Sequence, residues 1–173
     1  MADYSESGKS TTVAEYASLC DSQVFWFNAF DELSSDDAWL TIFSLSLSTK
    51  IGRPTLRMEN LAQEVSALTH RLLIVIDDAH RVQDFRSLSQ LLAAVQSNGN
   101  VSLLLVGIDI PDFVSTLRSN GIEAARIPGL TVAECRTLCG ISPDDRNWQT
   151  IALESLRVRC GGHIGLLRLG WPD

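Results

Sequence analysis

The run Leu72-Leu73-Ile74-Val75-Ile76, followed at once by Asp77-Asp78, constrains the fold of this chain more than any other feature. Five consecutive apolar residues leave no face for water. Such a segment predicts a strand buried on both sides, as in the middle of a parallel sheet. The two acids give that strand a polar tip.

The flanking segments alternate in the way a parallel α/β sheet requires. Residues 10–20 carry Val13, Tyr16, Ala17 and Cys20 at helical spacing, and residues 23–29 form a short aromatic-rich run that predicts a strand. Asp36 is placed to cap a helix with Trp39, Ile42, Phe43 and Leu47 on one face, broken by Ile51-Gly52-Arg53-Pro54. A helix over residues 58–70 presents Leu61, Val65 and Leu68. Another over 83–97 presents Phe85, Leu88, Leu91, Leu92 and Val95 and stops at Asn98-Gly99-Asn100. Residues 101–106 predict a further buried strand, 111–119 a short helix, and 124–127 a weak strand. After Pro128 the pattern turns helical, over 131–139, 146–159 and 164–169, with Gly140 and Gly161-Gly162 as punctuation. The expected organisation is an α/β parallel-sheet core over 1–128 and a small C-terminal helical lid over 129–173.

With 173 residues, 45% apolar and 20% charged, the chain has an ordinary globular composition and enough length for a sizeable core. No apolar run approaches the roughly 20 residues that span a bilayer, and no secretory leader is visible. A cytoplasmic protein with no membrane partner is expected. Cys20, Cys135, Cys139 and Cys160 have neither metal spacing nor a disulfide framework, and read as small buried hydrophobes. A net charge of −7 argues against a general nucleic-acid surface, though it leaves room for a local basic patch.

Near the start, Ser5-Glu6-Ser7-Gly8-Lys9-Ser10-Thr11 forms the closing half of a phosphate-binding loop. Gly8, Lys9 and Ser10 fill the last three places of the pattern G-x-x-x-x-G-K-[ST]. Gly8 lets the backbone approach phosphate oxygens closely. The N–H groups from Ser7 to Thr11 and the helix start form an anion site. Lys9 would reach the β- and γ-phosphates, and the Ser10 hydroxyl would ligate Mg²⁺. Asp77 is placed to hold the same ion, usually through water. The implied cofactors are ATP and Mg²⁺. The plainer alternative is a chance Gly-Lys-Ser-Thr at a helix start and two acids that end a strand.

Asp78 stands where many ATPases carry a water-activating glutamate, one methylene shorter than that residue, so slow or absent hydrolysis is expected. His80 is read first as a polar turn residue and second as a γ-phosphate sensor. Asp109 is expected to cap the helix near Pro111, and Arg126 to be a solvated strand-end arginine. Trp26 and Trp39 are expected in the core. Two places depart from the loop pattern. The position of its first glycine is Asp3, and only Ala2, Asp3 and Tyr4 separate Met1 from the loop, too few for the strand that should carry it.

Ser-Gly-Lys-Ser-Thr at 7–11, Leu-Ile-Val-Ile-Asp-Asp-Ala-His at 73–80 and Cys-Gly-Gly-His-Ile-Gly-Leu-Leu at 160–167 together resemble the AAA+/STAND ATPases, signal-transduction NTPases whose nucleotide state switches an attached effector. Val24-Phe25-Trp26-Phe27 resembles the second strand of that family, and Ile127-Pro128-Gly129-Leu130 with Glu134 resembles the start of its helical lid. The resemblance implies that Gly162 and His163 contact nucleotide from the lid. The family's Gly-x-Pro reads Gly162-His163-Ile164 here, without the proline, and Ile164 cannot serve as the arginine sensor of some relatives; Arg168 lies a turn further on. The missing first strand is compatible with a chain that starts earlier, a domain fragment, or a decayed paralogue.

Three function classes follow. The first is an ATP-binding switch module, with ATP and ADP as ligands and a homo-oligomer or an effector protein as partner. The second is an interaction scaffold that kept the fold and lost the nucleotide. The third, a small-molecule kinase, suits the double-acid strand and helical tail less well.

Overall fold

The apolar run forms the middle of a parallel sheet. In the computed structural model, which describes residues 8–29, 36–55, 57–82, 85–108, 111–123, 125, 127–141, 151–155 and 157, the elements in chain order are α1 (Lys9–Leu19), β1 (Gln23–Asn28), α2 (Asp36–Lys50), α3 (Met58–Ser66), β2 (Leu72–Asp77), α4 (Phe85–Gln96), β3 (Val101–Leu105), α5 (Pro111–Ser119) and α6 (Val132–Leu138). The three strands lie in the order β1-β2-β3, and both pairings are parallel. Ile74 pairs with Phe25 on one side and Leu103 on the other. By contacts the chain divides into two compact units, Thr12–Ala124 and Met1–Thr11 with Ala125–Asp173.

Within the 12–124 unit, strand alternation sorts the side chains into two cores. Leu72, Ile74 and Ile76 share one face with Phe25, Phe27, Val101, Leu103 and Leu105. Phe43 and Leu47 of α2, Leu61 and Val65 of α3, Leu88 and Leu91 of α4, and Phe113 and Leu117 of α5 pack against that face. Leu73 and Val75 face the other way with Val24, Trp26, Leu104 and Val106, where Val13 and Ala17 of α1, and Cys20 just after it, meet them. Each large aliphatic side chain so buried contributes about 1.5–3 kcal/mol. Phe43 stands edge-on to both strand phenylalanines, with ring centroids 5.8 Å from Phe25 and 5.1 Å from Phe27. That arrangement adds the favourable edge-to-face geometry of aromatic pairs.

Some expectations from periodicity need correction. Tyr16, expected inside, is 54% exposed, because α1 turns only a narrow line toward the sheet, the half-buried Val13 and the buried Ala17, which Cys20 continues just past the helix. Ile42 is 43% exposed, because the inward positions of α2 are 43, 44, 47 and 48, and two of them are serines. Ser48 suits that place: its hydroxyl accepts the Thr55 N–H at 2.8 Å and lies within hydrogen-bond reach of the Thr55 and Leu45 carbonyls. Trp26 is only half-buried, its Nε1–H donating to Asn28 Oδ1 at 3.0 Å. Cys135 is buried, whereas Cys20 and Cys139 are half-buried. Residues 125 and 127 form no strand, and Ile127 is exposed. The helix expected to reach residue 70 ends at Ser66, where another residue takes its last carbonyls.

That residue is Asn98, buried in the turn before β3. Its Nδ2 donates to the carbonyls of Val65 at 2.8 Å, Leu68 at 2.9 Å and Ser66 at 3.3 Å, while its Oδ1 accepts the Asn100 N–H at 3.0 Å. One amide therefore satisfies the carbonyls that a helix end leaves without intrahelical partners.

In the other unit, α6 opens on a capping box. Thr131 Oγ1 accepts the Glu134 N–H at 3.3 Å, and Glu134 Oε2 accepts both the Thr131 N–H and its hydroxyl at 2.7 Å. Those bonds, from the hydroxyl first and the backbone second, hold the Glu134 carboxyl below its ordinary range. Cys135, Ile141 and Leu153 form a small buried cluster, flanked by an Arg136–Glu154 ion pair at 3.2 Å and by Arg157 Nε donating to the Leu130 carbonyl at 2.9 Å. Residues 151–155 and 157 are helical. The helix over 164–169, Gly161-Gly162, Cys160 and the side chains of Trp39 and Phe85 lie outside the described residues.

Two outcomes are expected. Asn98→Ala strands buried carbonyls and lowers stability by about 1–3 kcal/mol in urea unfolding; Asn98→Asp, which sets a carboxylate against the same carbonyls, lowers it further. Because the folded pKa of Glu134 is depressed, the box's stabilisation is present above the ordinary glutamate range and is lost as pH falls through the folded value. The Glu134 amide resonance, followed by NMR titration, should therefore move at a pH below that range.

Candidate functional site

The described site residues fall into two groups, one in each unit. In the first, Gly8 has φ 81° and Lys9 is the first residue of α1. A left-handed residue leading directly into a helix is open to glycine and strained for other residues. The first turn of a helix carries N–H groups that intrahelical bonding does not use and the positive end of the helix dipole. Gly8, Lys9 and Ser10 are half-buried and Thr11 is exposed. Ser7 lies outside the described residues, as do Gly162, His163, Asp3, Ile164, Arg168, Asp109 and Arg126.

The second group is the tip of β2, where the structure brings Asp77, Asp78 and His80 together. Asp77 is the last residue of the strand, in register with Asn28 of β1, and its carbonyl accepts the Ala29 N–H at 2.9 Å. The chain then turns sharply. Asp78 has φ 54°, the one left-handed residue other than glycine among those described. The turn lets Ala79 bury completely and donate its N–H to the Val106 carbonyl at 2.7 Å, just past the end of β3. Aspartate tolerates this conformation better than most side chains. A single 3₁₀ turn, Ala79–Arg81, follows, closed by the Arg81 N–H on the Asp78 carbonyl at 2.9 Å.

This geometry fixes the Asp77 carboxylate. Its Oδ1 accepts the Asp78 N–H at 3.0 Å, the one hydrogen bond that carboxylate takes among the described residues. A half-buried, oriented, oxygen-only ligand fits a hard cation. Among the described residues no three His, Cys, Asp or Glu side chains gather as a metal cage. A Mg²⁺ ion held by one carboxylate together with phosphates and water does not need such a cage. Asp78 points elsewhere: its Oδ2 lies 3.7 Å from Arg81 Nε, one turn on. His80 is half-buried in the turn. Arg81 was not legible as a site residue. Its spacing of three from Asp78 signals a pairing only once the 3₁₀ turn is known.

A family model described as an AAA domain matches residues 5–110, more than half of the chain. The chain belongs to the AAA domain family. The match spans both the Gly8-Lys9-Ser10 segment and the Asp77-Asp78 tip. The three-stranded parallel sheet with its flanking helices is thus the α/β core of a P-loop NTPase, and family membership makes this AAA domain a nucleotide-binding module by class. No curated protein matches the chain. No helix among the described residues is long and apolar enough to cross a membrane.

The left-handed turn of this AAA domain carries its own test. Asp78→Val puts a β-branched residue at φ 54° and should cost about 1–2 kcal/mol in urea unfolding. Asp78→Asn, which tolerates the same conformation, should remain close to wild type.

Proposed function

We propose that this AAA domain is an ATP-binding switch module of the STAND kind, with slow or no hydrolysis. The observation that carries this reading is the Asp77 carboxylate, held in one orientation at the tip of the central strand in a chain that also bears Gly8-Lys9-Ser10. Ser7 to Thr11 would grip the phosphates through backbone N–H groups, and Lys9 would meet the charge of the outer phosphates. Ser10 and Asp77 would hold Mg²⁺. When bound, that ion would neutralise charge on the phosphates. Gly162 and His163 would contact nucleotide from a helical lid at 129–173, which couples the ligand to movement of an effector or a neighbouring copy. A cytoplasmic location fits such a switch.

Asp78 would orient water in any hydrolytic step. Its side chain is one methylene shorter than a glutamate and lies 3.7 Å from Arg81 Nε, which turns it aside from a water-positioning role. That pairing supports a switch that retains ATP over a rapid ATPase. It also favours the second reading, an interaction scaffold that no longer binds nucleotide.

The experiment is a thermal melt of the full chain with and without MgATP. A ligand at a hundred times its dissociation constant stabilises by about 2.7 kcal/mol, so the midpoint should rise by several degrees. Lys9→Ala should abolish the rise. A wild-type midpoint that ATP leaves in place defeats the switch reading and leaves the scaffold.

A further inference from the structure

Gly107 follows β3 by two residues and crosses the turn that ends β2. A Cβ built on it would lie 3.3 Å from the His80 backbone nitrogen, 3.3 Å from His80 Nδ1 and 3.5 Å from His80 Cβ. Contacts of 3.3 Å are tighter than nine in ten of those that real Cβ atoms make, so a side chain here requires His80 to give by a few tenths of an ångström. Gly52, Gly99 and Gly140 have open space around the same position. Nor does Gly107 need glycine for its own backbone, because its φ is not left-handed. The cost of a side chain here therefore depends on whether His80 can give way.

The His80 backbone cannot yield alone. On one side the Ala79 N–H is tied to the Val106 carbonyl at 2.7 Å, and on the other the Arg81 N–H is tied to the Asp78 carbonyl at 2.9 Å. A push on His80 therefore passes to Asp78, which is already in a left-handed conformation, and from its N–H to Asp77 Oδ1.

The geometry points to Gly107 as a positioning residue for the Asp77 carboxylate. Its missing side chain lets residues 78–81 close over the end of β3, and that closure sets where Asp77 aims. The inference rests on the MgATP reading for its functional consequence, while the positioning itself is a property of the chain without ligand.

The test compares Gly107→Ala with Gly99→Ala, a matched glycine at the other end of β3, in the full chain. Without nucleotide, Gly107→Ala should move the Asp77 and Asp78 amide resonances, and Gly99→Ala should not. With ATP, the Mg²⁺ concentration at half-maximal stabilisation should rise about tenfold in Gly107→Ala, the scale of losing support behind a metal ligand. Stabilisation by ATP in EDTA should stay at the wild-type value. Unmoved Asp77 and Asp78 amides, or an unchanged Mg²⁺ midpoint beside a wild-type response, overturn the inference. A wild-type chain that ignores MgATP overturns the nucleotide reading instead, and the amide comparison still decides the positioning. Should Gly107→Ala not fold, His80→Ala replaces it: the turn loses its packing on Gly107, the same two amides should move, and amides left in place overturn the inference.

Discussion

Everything in the 12–124 unit follows from burying β2 on both of its faces. A strand with no exposed side needs a ladder partner along each edge, or its N–H and C=O groups lose their hydrogen bonds in an apolar interior. It needs helices above and below as well. β1 and β3 meet the first demand. α1 meets the second on one face, and α2, α3, α4 and α5 meet it on the other. Asp77 is then the first residue of the segment at which the chain emerges, so a carboxylate stands at the boundary between the core and the strand tip.

That logic also explains which parts were legible in the sequence. A run such as Leu72–Ile76 has one physical solution, and its place in the sheet could be read directly. α5 was legible to the residue, because Pro111 starts it and a polar turn ends it. The faces of α1 and α2 were less so, because periodicity reports what is apolar and not what is covered. Ser44 and Ser48 are buried while Ile42 is not, and Ser48 is tolerated through its bonds to Thr55, outside its helix.

The candidate site divides along the same line. Gly8-Lys9-Ser10 and Asp77-Asp78 are local signals, written in neighbouring residues. The left-handed turn at Asp78, its pairing with Arg81 and the close approach of His80 to Gly107 arise where the ends of β2 and β3 meet. The Ala79–Val106 bond and the approach of His80 to Gly107 join residues distant in sequence, and the Asp78 conformation is imposed by the need to bring Ala79 beneath Val106.

The Asn98 amide has a consequence for motion. It joins the end of α3 to the turn before β3, and the neighbouring Asn100 carbonyl accepts the Leu72 N–H that starts β2. Three elements are thus fastened at one end of the sheet, opposite the Asp77 tip. Amide hydrogens at that base should exchange with solvent only when the three open together, as one cooperative block. The tip is tied separately, by the Ala79 N–H on the Val106 carbonyl and the Arg81 N–H on the Asp78 carbonyl, around a left-handed residue. The two ends of the sheet are thus fastened by independent sets of bonds, so a substitution at the acidic end should leave exchange at the Asn98 base unchanged.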